Sequence, residues 1–229
     1  MTTMTNHTVS ATTTLESPIR TSRALTVRRL FLIACPVLAA LFTLVGALGD
    51  PAAGHNGEQM VRTYIDNPGP LQWKSTGYHW AYAFWIAPAL LAAGLVRTKG
   101  AWLANVAAFL GFLGMTTLPG MLITDWYASA IGHEFGYAGT HAVETYMQDT
   151  MWGVAGFGIA AMLGFVIGVP LAAVALLRAG LVRWWAVPAV VVPLVVLFVS
   201  NGAVWAGAVC AACLLVFAAE LARAVRRAA

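Results

Sequence analysis

RRLFLIACPVLAALFTLVGAL, residues 28–48, is the stretch on which the fold turns. Two arginines precede nineteen consecutive uncharged residues, 30–48. At about 1.5 Å of rise per residue, such a helix is about 28 Å long, close to the ~30 Å of a bilayer's hydrocarbon core. A secretory leader is a competing reading. Arg28-Arg29-Leu30-Phe31-Leu32 is similar to a twin-arginine signal, and Ala47-Leu48-Gly49 offers small residues for cleavage. The apolar region of a leader has only about 7–15 residues, however, so a retained first membrane helix is expected. Cleavage there would leave five helices.

Five further apolar runs follow, at 78–96, 101–127, 151–177, 184–199 and 203–221. The expected fold class is therefore all-α, a polytopic transmembrane bundle of about six helices. Residues 1–28, rich in Thr and Ser, are expected to be a disordered tail. Residues 29–229 form one transmembrane domain, interrupted by two polar segments at 50–77 and 128–150. Each segment is too long for a simple hairpin and is expected to hold a short surface helix. Asn56 ahead of Gln59, and Thr140 ahead of His141, suit helix starts. Pro119 is expected to kink or end the third helix, and Pro188 and Pro193 interrupt the fifth.

Composition agrees with this picture. Hydrophobic residues make up 60% of the chain and charged residues 10%, against roughly 25% charged in soluble domains. The net charge of +4 does not point to nucleic acid, because the basic residues sit in short clusters at the ends of apolar runs. With both termini in the cytoplasm, eleven of the thirteen basic residues fall inside and only Arg62 and Lys74 outside. The positive-inside rule thus predicts that orientation in a bacterial cytoplasmic membrane.

The outer side carries the chemical inventory. Four of five histidines are there, His55, His79, His133 and His141, with the carboxylates Asp50, Glu58, Asp66, Asp125, Glu134, Glu144 and Asp149. Asp125, Glu144, Asp149 and Glu58 are the candidate acids and bases. Asp125 and His79 sit just inside apolar runs, where an ionisable group is costly and faces a cavity or a partner. Trp80, Trp85, Trp126, Tyr127, Tyr146 and Trp152, together with His79, are candidates for binding an apolar substrate and steering a cation over their faces. An interfacial aromatic belt accounts for the same residues without any ligand. His55 with Glu58, and His141 with Glu144, share the spacing His-x-x-Glu. That spacing puts both side chains on one helix face, and two such pairs offer four ligands to an ion. In the alternative reading these are ordinary polar loop residues. His133-Glu134 does not start an HExxH motif, because residue 137 is Tyr. No cofactor is expected.

Cys35, Cys210 and Cys213 all lie in apolar runs, and Cys210-x-x-Cys213 is read as small residues on a helix face. Gly164 and Gly168 form a GxxxG that permits close helix packing, within one chain or between two copies. A P-loop, a G-x-S-x-G elbow and an Asp-rich diphosphate motif are all missing from the sequence.

GLVRTKGAWLANVAAF and LLRAGLVRWWAVPAV both read as apolar run, arginine, short basic turn, tryptophan, apolar run, a hint of internal duplication. Through LLRAGLVRWWAVP and its helix order, the chain resembles small six-helix membrane proteins of high-GC bacteria over residues 29–222. That resemblance implies no activity. In size and helix number it also resembles small integral membrane terpene cyclases, which use carboxylates to protonate or steer an isoprenoid. The overlap consists of outer carboxylates among aromatics, and none of the motifs of those enzymes is present. An embedded enzyme on a lipophilic, isoprenoid-type substrate is the expected function. A transporter or binding protein for a small solute or metal, and an accessory subunit, are the alternatives.

Overall fold

A computed structural model describes residues 23–228. Most of the expected N-terminal tail, 1–28, lies outside them; residues 23–28 already belong to the first helix. Every regular element among the described residues is helical: α1 Arg23–Gly49, α2 Gly57–Asp66, α3 Pro68–Ala92, α4 Ala101–Met121, α5 Ile123–Thr150, α6 Trp152–Arg178, α7 Ala186–Val199 and α8 Val204–Arg227. By length and composition, four stretches of these can cross a membrane: α1, the α4–α5 stretch, α6 and α8. With α3 and α7 they make a bundle of six helices. α7 has only 14 residues, about 21 Å of helix. α3 is long enough at 25 residues, but its first turns carry Lys74, Ser75 and His79.

α3 is the axis of the bundle and packs against α1, α4 and α6; α1 also packs on α8, and α7 bridges α6 and α8. Lipid offers no hydrophobic drive for helices to associate, so close backbone approach has to supply the contact. Small residues provide it. A Cβ on Gly77 of α3 would collide with the Gly46 backbone of α1. A Cβ on Gly164 of α6 would collide with Gly114 of α4, and one on Gly207 of α8 with Ala47 of α1. Gly168 likewise faces Leu110 and Gly111 of α4. The GxxxG is therefore spent inside the chain, which removes Gly164 and Gly168 as a seam between two copies. Larger side chains fill the remaining core, with Trp85 edge-on to Phe165 at 4.9 Å between ring centroids. Trp85 is 1% exposed and is thus a packing residue.

Leu163–Gly168 forms a π-helical turn within α6, directly before Pro170. Proline has no N–H for the carbonyl four residues back, and its ring crowds that carbonyl, so the helix widens there. Cys210 donates its thiol to the Pro193 carbonyl at 3.6 Å, and the cysteines are free.

The two polar segments depart from expectation. α3 starts at Pro68 rather than near Tyr78, and α2 lies before it, so most of 50–77 is helical. Pro68 suits a first helical position, where its missing N–H costs nothing. α4 stops at Met121, just after Pro119, and 123–150 is helical throughout except at Gly136, whose φ of 72° and ψ of 177° suit glycine alone. Thr140 donates its hydroxyl to the Ala128 carbonyl at 3.0 Å. Twelve residues along a straight helix would separate these groups by about 18 Å, so α5 folds back on itself at Gly136 as a helical hairpin. α2 packs on that hairpin, with Ser129 donating to the Tyr64 carbonyl at 2.9 Å. Together they cap one end of the bundle.

Candidate functional site

Beneath this cap is a cavity of about 480 Å³. Its inner wall is apolar, with Leu118 of α4, Met162 and Phe165 of α6, and Leu197 of α7. Its rim is polar, with Asp50, His55, Tyr64 and Lys74. Tyr78 and Tyr82 of α3 stand between rim and wall.

Several elements hold the rim. Asp50 follows the last residue of α1, and its Oδ1 accepts the Ala52 N–H at 2.9 Å. The link after it is tied to the α7–α8 turn, where Gly54 N–H donates to the Asn201 carbonyl at 2.9 Å. Asn201 and Gly202 take left-handed backbone there, with φ of 48° and 72°. A side chain at residue 202 would press on Asp50 Oδ2, so glycine keeps that carboxylate in place. The Tyr64 phenol lies near enough to Asp50 for each to influence the other's proton. Lys74 Nζ lies 4.7 Å from the centre of the Tyr64 ring and 2.6 Å from Asp125 Oδ2. The same Asp125 oxygen accepts from the Ser75 hydroxyl at 2.9 Å. His55 Nδ1 is 3.3 Å from the Thr63 hydroxyl.

Two carboxylates thus sit near one ammonium, in different surroundings. Asp125 is the direct counter-ion of Lys74. Burial pushes the Asp50 carboxyl up from its ordinary pKa and Asp125 adds to this; the Ala52 N–H, Lys74 and the Tyr64 hydroxyl work against it without reversing it. Burial and the neighbouring Asp50 also raise the Tyr64 phenol. The rim accordingly pairs a carboxyl whose hold on its proton is raised by burial with one that is the direct counter-ion of Lys74.

The aromatic lining is continuous. Tyr78 and Tyr82 stack at 5.9 Å, and Tyr82 meets Phe165 edge-on at 5.2 Å. Phe165 belongs to the π-helical turn of α6. Compared with known proteins, the chain matches no family model, no curated protein and no solved structure.

Of the residues singled out in the sequence, only some converge here. Asp125 belongs to the rim network and His55 to its edge. His79 points elsewhere, its Nδ1 donating to the Pro119 carbonyl at 2.9 Å, and Trp80 stands edge-on to it. Glu58 is an exposed helix-surface partner of Arg62 at 2.6 Å. Glu144 is half-buried and Asp149 exposed on the second limb of α5. His141 stacks on Tyr137, whose ring also carries Arg62 at 4.8 Å. Among the described residues no three His, Cys, Asp or Glu side chains come together to hold a metal. His55, Glu58, His141 and Glu144 therefore form no joint metal site: His55 meets Thr63, Glu58 pairs with Arg62, and His141 stacks on Tyr137. Tyr127, Tyr146 and Trp152 are well exposed, as a belt requires. Trp126 lines a separate groove of about 510 Å³ with His133 and Glu134.

Asp50, Tyr64, Lys74, Tyr78 and Tyr82 were absent from the sequence-derived site. Lys74 carried the signal that identifies it. It is a cation on the side that the charge bias empties, close to an apolar run, and such a group needs a carboxylate partner.

Proposed function

We propose that this protein is a membrane-embedded acid–base enzyme acting on a lipophilic, isoprenoid-type chain at the capped end of the bundle. The observation that carries the reading is one cavity joining an apolar wall, a tyrosine array and a carboxyl with a raised pKa. Asp50 is the acid, and Asp125 keeps Lys74 neutralised beside it. An apolar chain enters along Leu118, Met162 and Leu197, while the rim faces its polar end. Asp50 transfers its proton to a carbon–carbon double bond. The carbocation that forms is stabilised over the faces of Tyr78, Tyr82 and Phe165 while the chain closes a ring or shifts its double bond. A neighbouring carbon then returns a proton to the Asp50 carboxylate. The product is an isomer of the substrate, and neither oxidant nor reductant is consumed.

The test uses the purified full chain, incubated in heavy water with total lipid extracted from its own membranes. A lipid isomer carrying a deuterium should accumulate with the wild type and not with Asp50→Asn. Identical lipid profiles for the two proteins would sink the reading. A lipid retained by both and converted by neither would make this a binding protein.

A further inference from the structure

The opposite end of the bundle holds a second, smaller cavity of about 200 Å³, which the proposed chemistry does not use. The starts and ends of three helices meet around it. Arg28 and Arg29 come from the beginning of α1, Arg97 and Thr98 from the α3–α4 link, and Ala228 from the end of α8. Between them lie leucines, among them Leu32 of α1, Leu91 of α3 and Leu181 of the α6–α7 link.

Three guanidinium groups around one hollow repel one another unless an anion joins them. No carboxylate among the described residues does so: the salt bridges there are Arg62–Glu58, Lys74–Asp125 and Arg223–Glu220. Glu220, the acidic residue of α8, is committed elsewhere. It accepts from Arg223, from the Arg183 backbone N–H and from the Trp185 indole. Arg29 gives one nitrogen to the Ala228 carbonyl at 3.2 Å, while its Nε is buried without a partner. A buried charged donor left unsatisfied is costly and calls for an acceptor. Arg28 lies against Gly94, where any side chain would displace it, so the glycine makes room for the guanidinium.

We infer that this cavity binds a phosphate-bearing anion, with Arg28, Arg29 and Arg97 on its oxygens and the Thr98 hydroxyl beside them. Planar guanidinium forks match phosphate geometry. The leucines make an apolar floor of the kind that the first methylenes of acyl chains would cover. Basic pockets between membrane helices receive anionic headgroups in this way. The headgroup of an anionic phospholipid and a soluble phosphate share this chemistry, and the experiment separates them.

Full-length protein in detergent is titrated with dioleoylphosphatidylglycerol, with dioleoylphosphatidylcholine and with inorganic phosphate, and bound species are counted by native mass spectrometry. The comparison proteins are the double variant Arg28→Gln/Arg97→Gln and Arg226→Gln, an exposed arginine at the same end that does not line the cavity. Arg28 and Arg97, unlike the half-buried Arg29, are exposed, so their replacement leaves the helix packing intact. Gly94→Ala, which moves Arg28 alone, serves as a milder second variant. Loss of charge-assisted hydrogen bonds should weaken phosphatidylglycerol binding about tenfold or more in the double variant and leave it unchanged in Arg226→Gln. Retention of phosphatidylglycerol over phosphatidylcholine assigns the lipid. Saturable binding of inorganic phosphate, lost in the same double variant, assigns the soluble anion. Equal binding of every probe by the wild type and the double variant would overturn the site.

Discussion

At the level of single residues, the rim turns on Asp50 and on the Lys74–Asp125 pair. Because the folded-state pKa of Asp50 lies above its ordinary value, the folded protein holds this proton more tightly than the unfolded chain. Stability linked to Asp50 is therefore complete below the ordinary aspartate pKa and declines as pH rises through the raised folded value. Asp50→Asn cannot ionise and keeps an oxygen for the Ala52 N–H. Its melting temperature should match the wild type in acid and exceed it near neutrality, with the gap opening above the ordinary aspartate range. Melting curves that run parallel at every pH would refute this. The ion pair behaves differently. Its side chains are 11% and 22% exposed, so removing either partner strands a charge in a poor solvent. Lys74→Met or Asp125→Leu alone should each cost about 3 kcal/mol, while the double variant Lys74→Met/Asp125→Leu should recover most of that loss. A denaturation cycle in detergent measures this, and additive losses would mean that the two groups do not depend on each other.

At the level of helices, glycines decide which elements touch. Gly164 meets the backbone of Gly114, whereas Gly158, six residues earlier, meets nothing within 4 Å. Gly164→Leu forces α4 and α6 apart and should cost about 3 kcal/mol, and Gly158→Leu, which faces open space, should change stability by less than about 0.5 kcal/mol. Thermal unfolding in the same detergent compares them. Equal effects would show that the α4–α6 contact is not set by these glycines. The same elements show what could be read from the sequence. Apolar runs located α1, α4, α6, α7 and α8, because length and the absence of charge are local properties. The hairpin of α5 was not legible, since Gly136 looks like any glycine until its φ of 72° is known. Nor was the early start of α3. Lys74 and Ser75 look like loop residues, and only the long-range partner Asp125 lets a helix carry them into the bundle. The site went partly unread for the same reason. Asp50, Tyr64 and Tyr82 lie on separate segments, and spacing cannot show that they meet.

For the molecule as a whole, charge is divided between two poles. Arg28, Arg29 and Arg97 share one cavity, Arg227 donates to the Gly180 carbonyl at 2.8 Å, and Arg183 and Arg223 meet at Glu220. These basic groups come from the start of α1, the α3–α4 link, the α6–α7 link and the end of α8, so the clusters separated in sequence form one basic end. The opposite end holds Arg62 and Lys74, the two exceptions to the charge bias, and each has its own carboxylate at 2.6 Å. The count of lysines and arginines therefore remains strongly one-sided between the two ends. The basic end should therefore face the cytoplasm and the capped cavity the outside. Asp149→Cys, on the exposed second limb of α5, should react with a membrane-impermeant maleimide in intact cells. Arg226→Cys, near the end of α8, should react only after the membrane is opened. Cys35 and Cys210 are buried and Cys213 is half-buried, so the parent protein sets the background. The reverse labelling pattern would put the acid–base rim in the cytoplasm and the arginine cavity outside. That outcome would be at odds with the cluster of Arg28, Arg29 and Arg97 among the described residues.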